Sequence, residues 1–279
     1  MTRTLLAPAK INLCLHVLRK RTDGYHDLAM LMQRISLYDR IELTLNASGA
    51  VRVRCDGVAL AAGEENIAAR AARRVLELAG SRQGVEIVID KQIPVAAGLG
   101  GGSSDAASVL LGLNDMLGAG LTQPQLMAEG AKLGADVPFF LFAAPAWATG
   151  IGDVLRTVPP LPEVCYVLVN PGVAVSTAAV YQNLRLTSPD EVTKLPGFPS
   201  TVPELAAFLH NDLEQVTIGR HPQLAAIKTR LCDLGAAGAL MSGSGPTLFG
   251  VFASAKVAEA ARKVLATESS WRVFLVRPL

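Results

Sequence analysis

The chain has 279 residues, 50% of them hydrophobic and 18% charged, with 25 clustered glycines; this excludes a disordered chain and, for want of a glycine period, a collagen-like one. The length suits one large domain or two ordinary ones, with enough core to need no disulfide or structural metal. Lys plus Arg number 26 against 24 Asp plus Glu, a net charge of +2, without the dense basic stripe of a nucleic-acid binder, so attraction to an anion has to be local.

In chain order, the first third reads as strands. Ile41, Leu43 and Leu45 alternate with polar neighbours, as do Val51, Val53 and Cys55, and then Val85, Ile87 and Ile89. A period of two marks half-buried strands, more typical of antiparallel sheets. Between the last two runs, Ile67, Ala71, Val75 and Leu78 fall at helical spacing and predict a helix over 64–79, with an acidic first turn and Gly80 after its end. A glycine loop follows at 98–102, then a helix over 103–117 and another begun by Thr122 with Gln125 as its capping-box partner. Strands are expected at 165–169, 239–241, 248–252 and 272–276, and helices at 222–234 and 255–266. Residues 186–203, with four prolines, read as a loop. Strands and helices mix without strict βαβ repetition, which indicates α+β. The prolines at 158–162 suggest a domain boundary, giving domains 1–157 and 158–279.

Cys14, Cys55, Cys165 and Cys232 show no CxxC or Cys/His ligand spacing, so no metal ligand set is assigned. The first three lie in apolar stretches and read as small buried hydrophobes in a reducing compartment. The N-terminal apolar stretch ends at Lys10, too soon for a signal peptide, and Pro138 and Pro145 interrupt the longest apolar region. The expectation is a cytoplasmic protein with neither membrane nor nucleic-acid partners. The sequence leaves the oligomeric state open.

The segment Pro94-Val95-Ala96-Ala97-Gly98-Leu99-Gly100-Gly101-Gly102-Ser103-Ser104 follows a strand and opens a helix. Glycines permit positive φ and close backbone approach, and a helix N-terminus presents N–H groups and a positive dipole end, together a recipe for binding phosphate. The segment is neither GxxxxGK[ST], since it has no lysine, nor GxGxxG, since Ser103 stands where the third glycine belongs, and the kinase HRD and DFG motifs are absent.

This loop resembles the second motif of the GHMP kinases, small-molecule kinases acting on galactose, homoserine, mevalonate and related alcohols. Ala7-Pro8-Ala9-Lys10-Ile11-Asn12-Leu13 resembles their first motif, and Ser242-Gly243-Ser244-Gly245-Pro246-Thr247 their third. Asp23-Gly24-Tyr25-His26-Asp27-Leu28 and Gly134-Ala135-Asp136-Val137-Pro138-Phe139-Phe140 resemble one branch, which acts on a CDP-linked sugar alcohol.

The resemblance implies a two-domain α+β fold, with an N-terminal domain like ribosomal protein S5 and a C-terminal ferredoxin-like α/β sandwich. It implies transfer of the γ-phosphoryl of ATP, as its Mg2+ complex, to a hydroxyl of the CDP-linked substrate. Residues 94–104 would hold ATP. Asp136 matches the catalytic aspartate and Lys10 the catalytic lysine. Tyr25 and His26 match the base-binding pair, with Tyr181 as a second stacking face, and Asn12 and Thr177 are candidates for the sugar alcohol or its phosphates. On the residues alone, the readings of Asp136 as a helix N-cap and Lys10 as a surface lysine would win; the resemblance at both positions reverses that. Three other readings stand beside this one: a kinase of another small alcohol, a silent nucleotide sensor on the same fold, and, disfavoured by the failed fingerprint, a dinucleotide oxidoreductase.

Overall fold

The structure, a computed structural model, describes residues 1–56, 65–185 and 197–279. The chain divides into two compact units. One comprises Met1–Ala9, Leu37–Val95 and Gly100–Ala144, the other Lys10–Ser36, Ala96–Leu99 and Pro145–Leu279. Two long strands, β1 (Thr2–Lys20) and β2 (His26–Asn46), contribute residues to both.

The first unit adds β3 (Val51–Cys55), α1 (Ile67–Leu78), β4 (Gly84–Asp90), α2 (Gly101–Leu117), α3 (Gln123–Leu133) and α4 (Val137–Phe142). Its strands run in the order β3-β4-β2-β1. Antiparallel pairing of β2 with β4 sets Ile41 opposite Ile89, Leu43 opposite Ile87 and Leu45 opposite Val85, so the alternating apolar positions share one buried face. β3 lies parallel to β4, which makes the sheet mixed where alternation pointed to antiparallel pairing. The reason is α1, the crossover that a parallel connection needs.

Helix α1 starts at Ile67, the first residue of its apolar spacing and three residues later than the predicted range. Asn66 is its N-cap and accepts a 2.9 Å hydrogen bond from the Ala68 N–H, so the first turn carries no acidic residue. An Asx cap satisfies an orphan amide and fixes the start. Glu65 pairs instead with Arg73 from outside the helix, and Glu64 lies outside the described residues. The buried alanines of α1 let it pack on α2. In α2, Gly112 has no room for a side chain: a Cβ there would come within 2.5 Å of a Leu5 methyl and 2.7 Å of a Leu43 methyl. The capping box of α3 forms, with the Thr122 N–H donating to Gln125 Oε1 at 2.8 Å.

The second unit adds β5 (Ala146–Thr149), β6 (Val154–Thr157), β7 (Cys165–Asn170), α5 (Thr177–Asn183), α6 (Val202–Phe208), β8 (His210–Asn211), α7 (Glu214–Arg220), α8 (Gln223–Asp233), β9 (Gly238–Met241), β10 (Leu248–Phe252), α9 (Ala255–Leu265) and β11 (Arg272–Val276). The β5–β6 hairpin pairs antiparallel with β2, and the short β8 pairs parallel with β1. A second sheet, antiparallel throughout, has the order β11-β7-β10-β9. With α8 against β9 and β10, and α9 against β7 and β11, this is the βαββαβ pattern of a ferredoxin-like sandwich.

Of the predicted loop 186–203, residues 186–196 lie outside the described residues, and Val202 and Pro203 belong to α6. Thr201 and Glu204 form a capping box there, and Pro203 sits in the first turn, where its missing N–H costs nothing. Among the described residues, no helix is long and apolar enough to cross a membrane.

In the first unit, one largely buried cation ties the end of β4 to β2 and α2. Lys91 Nζ donates to Asp105 Oδ2 in α2 at 2.8 Å and pairs with Asp39 Oδ2 on β2. The other Asp39 oxygen accepts from the Gln92 and Ile93 N–H groups at 2.7 and 2.8 Å. Burial pushes the Asp105 carboxyl above the ordinary carboxylate range. Burial also works against the charge of Lys91, but Asp105 and Asp39 outweigh it and hold its pKa up. Lys91→Met leaves two buried carboxylates without their cation, and urea denaturation at pH 8 is expected to show a loss of about 3–5 kcal/mol. The loss shrinks toward pH 5. A buried carboxyl whose folded pKa lies above its unfolded value favours folding when protonated, and that contribution disappears as the pH rises. Equal losses at both pH values would contradict an electrostatic anchor.

Candidate active site

The helix begins earlier in the glycine loop than the sequence suggests. Gly100, in the left-handed region at φ 70°, is the N-cap, and Gly101 and Gly102 are the first residues of α2. Gly101 is there partly for space, since a Cβ would lie 3.1 Å from Ile93 Cγ2 and 3.2 Å from Lys91 Nζ. The first N–H groups of an α-helix have no acceptor within it, and in this 17-residue helix they belong to glycines and Ser103. Ser104 Oγ, one residue on, is buried and has no hydrogen-bond partner among the described residues. Upstream, Ala96 and Gly98 also have positive φ, at 50° and 75°.

Asp136 lies in the same unit as the start of α2. A Cβ on Gly134, two residues before it, would lie 3.8 Å from Ser103 Oγ. Asp136 occupies the N-cap position of α4, but its backbone is αR and its side chain makes no capping hydrogen bond. The N-cap reading therefore describes where Asp136 sits and not what its carboxylate does.

In the second unit, three segments far apart in sequence meet. Lys10 is only 4% exposed, which overturns the surface-lysine alternative. Its N–H donates to Leu99 O at 2.9 Å, and its Nζ donates to Asn12 Oδ1 at 2.5 Å. The Asn12 N–H donates to Ser242 Oγ at 3.3 Å, and Ser242 Oγ donates to Gly98 O at 2.9 Å. Gly98 packs so tightly that a Cβ would lie 2.0 Å from the Ser242 carbonyl oxygen. Thr177, at the start of α5, shares a 2.8 Å hydroxyl–hydroxyl hydrogen bond with Ser244.

His26 and Tyr181, also in this unit, are stacked, with ring centroids 5.0 Å apart and planes at 28°. Tyr25 is 58% exposed beside a turn in which its own N–H donates to Asp23 Oδ1 at 3.1 Å. Burial, and then Lys20, lower the pKa of His26, so at neutral pH its ring carries one donor and one acceptor.

Some supporting residues left no readable signal. Asp39 and Lys91 lie 52 positions apart with no local pattern. Asn211 stands in the two-residue strand β8, and its amide donates to Met241 O at 2.7 Å and Gly243 O at 2.8 Å, holding the Ser242 segment from behind. Only the glycines of that segment hint that something must approach its backbone closely.

Comparison with known proteins identifies the family. The model of the GHMP kinase N-terminal domain matches residues 66–144, and that of the GHMP kinase C-terminal domain matches residues 198–269. The chain is 62% identical to the 4-diphosphocytidyl-2-C-methyl-D-erythritol kinase of Syntrophotalea carbinolica, over 99% of each chain. It is 54% identical to that of Geobacter metallireducens, over 99% of this chain and 98% of the relative. A crystal structure of 4-(cytidine 5'-diphospho)-2C-methyl-D-erythritol kinase superposes with a TM-score of 0.79 at 37% identity, over 99% of both chains. Homoserine kinase from Cytophaga hutchinsonii, with a TM-score of 0.76 and 19% identity, shares the fold over 99% of this chain and 95% of its own. The chain belongs to the GHMP kinase family, on its 4-diphosphocytidyl-2-C-methyl-D-erythritol kinase branch.

Proposed function

We propose that this chain transfers the γ-phosphoryl of ATP to the 2-hydroxyl of 4-diphosphocytidyl-2-C-methyl-D-erythritol, giving the 2-phosphate and ADP, a step in isoprenoid precursor synthesis. The observation that carries this is near-full-length identity of 62% to a kinase of that name, with Lys10, Asp136 and the glycine loop all present. We place the reaction in the cytoplasm, in keeping with four free cysteines. By function, residues 1–157 form the nucleotide-binding and catalytic part, and residues 158–279 contribute to the substrate site.

Phosphoryl transfer passes through a loose transition state, so positioning and charge stabilisation do most of the work. Residues 94–104 hold the ATP phosphates through backbone N–H groups and the N-terminus of α2. The buried hydroxyl of Ser104, which has no hydrogen-bond partner among the described residues, suits this role, and with Ser103 it would face the Mg2+ that accompanies ATP. Bound Mg2+ supplies charge neutralisation on the β- and γ-phosphates.

Asp136 orients the 2-hydroxyl and takes its proton as that oxygen bonds to the γ-phosphorus and the bond to the ADP oxygen breaks. An alcohol is too weak an acid to be deprotonated in the ground state, so proton transfer is late. Lys10, steered by Asn12, stabilises charge on the transferring group. Tyr25 and Tyr181 supply stacking surface for cytosine, and neutral His26 matches the donors and acceptors of its edge. Asn12 and Thr177 contact the sugar alcohol or its phosphates.

A coupled assay of ADP release with the CDP-linked substrate, homoserine and mevalonate in parallel is expected to show turnover with the first alone. Turnover with either of the others would move the chain to another member activity. Asp136→Asn is expected to lower kcat by about 10²–10⁴, with ATP affinity within a few-fold of the parent; near-normal kcat would remove the general-base role. Gly102 has ordinary space for a Cβ, whose nearest neighbour would be Ile67 Cγ2 at 3.8 Å, so Gly102→Ala is expected to leave Tm unchanged or raised. The same change should raise the KM for ATP about tenfold by keeping a phosphate off the backbone. An unchanged KM would take Gly102 out of the phosphate site.

A further inference from the structure

One cluster of metal-ligating side chains in the second unit lies outside all of these roles. His16 on β1, His210 on β8 and Asp212 just beyond β8 each offer a ligand atom, and these atoms all lie within 4.8 Å of one another. The His16 and His210 rings are stacked, with centroids 4.4 Å apart and planes at 19°. His210 Nε2 lies 2.6 Å from Asp212 Oδ1. The other carboxylate oxygen is already held: Asp212 Oδ2 accepts from the Val17 N–H at 2.7 Å, which orients the group and leaves Oδ1 toward the imidazoles. Outer hydrogen bonds of this kind are what position ligands in metal sites.

The backbone brings the ligands together. β1 and β8 pair in parallel with Cys14 opposite His210 and Leu15 opposite Asn211, and the Asp212 N–H donates to Leu15 O at 3.0 Å. The nearly 200 residues between His16 and His210 explain why no ligand spacing shows in the sequence. His210 is exposed and His16 half-buried, so an ion has a path from solvent.

We propose that His16, His210 and Asp212 form a binding site for a divalent metal of the Zn2+ class. Two imidazole nitrogens and one carboxylate oxygen suit a borderline transition metal and not Mg2+ or Ca2+, which take oxygen ligands. In a tetrahedral site with bonds of about 2.0–2.1 Å, ligand atoms stand about 3.3 Å apart, so small side-chain rotations bring the three into place. The metal replaces the proton shared by His210 and Asp212, which leaves to solvent, and water completes the shell. Occupancy ties β8 to β1. It thereby steadies Asn211, whose amide holds Met241 and Gly243 of the glycine segment.

The test uses full-length, tag-free protein stripped with a chelator. Co2+ titration is expected to give a visible ligand-field spectrum that one equivalent of Zn2+ abolishes. Zn2+ at about 100 times its Kd is expected to raise Tm by about 5 °C or more, and Mg2+ is not. His16→Gln and His210→Gln should each remove the spectrum and the Tm response. The chain has four histidines, so ring NMR of the unmodified protein reads the site directly, without any variant. Zn2+ should shift His16 and His210 and leave His26 and His221 in place. No Co2+ spectrum, a Tm response that survives both variants, or shifts confined to His26 and His221 would each overturn the proposal.

Discussion

The Ser242 hydroxyl accepts from the Asn12 amide on one side and donates to the Gly98 carbonyl on the other. Residues 12, 98 and 242 come from three separate glycine-bearing or strand segments, and one oxygen atom fixes the spacing among them. The arrangement tolerates no side chain at Gly98, where a Cβ would overlap the Ser242 carbonyl at 2.0 Å, and φ there is 75°. A close backbone approach of this sort is an all-or-none constraint: moving the 242 segment back to admit a methyl group would break both hydrogen bonds. The supports behind the segment serve the same end, with Asn211 holding Met241 and Gly243, and Thr217 donating to the Ser244 carbonyl at 3.1 Å.

A chain of net charge +2 with the two highly anionic ligands proposed above has to concentrate positive potential locally. Its exposed ion pairs, such as Arg3–Asp115 and Arg230–Glu268, do not do this, because surface pairs are screened and worth little. Two lysines make different contacts: Lys91 pairs with two carboxylates of the first unit, and the Lys10 ammonium donates to the Asn12 amide oxygen in the second. Backbone N–H groups at a helix start add positive potential without adding formal charge.

Much of the fold could be read from the chain because short-range physics set it. Strands β10 and β11 fall where their apolar runs predict, the α3 capping box forms between the two residues that announce it, and the βαββαβ order follows from the predicted run of elements. Starts governed by caps were less legible. The predicted range of α1 reaches back to residue 64 on the strength of an acidic first turn, but Asn66 decides where its amides are satisfied, and at α2 two residues of the supposed loop are already helical. Long-range partners were not legible at all. Nothing near Lys91 names Asp39, and nothing near His16 names His210, because sheet pairing creates both neighbourhoods. The candidate site was proposed through resemblance, and its residues taken singly were ambiguous: an exposure of only 4% was needed to separate Lys10 from an ordinary surface lysine.

The four glycines of the loop are there for different physical reasons. Gly98 is required by the Ser242 carbonyl, Gly100 by its left-handed backbone, and Gly101 by Ile93 and Lys91 at little over 3 Å. Gly102 has ordinary backbone geometry, an exposed position in the first turn of α2 and, among the described residues, no crowding beyond a methyl at 3.8 Å. Alanine in a helix is more favourable than glycine by up to about 1 kcal/mol, so the fold alone gives no reason for glycine at this position. A position that gives up stability with no packing return is where something outside the chain comes close to the backbone. Gly102 lies at the start of a helix, beside a buried serine hydroxyl without a partner among the described residues, and these are the surroundings expected of the proposed phosphate contact.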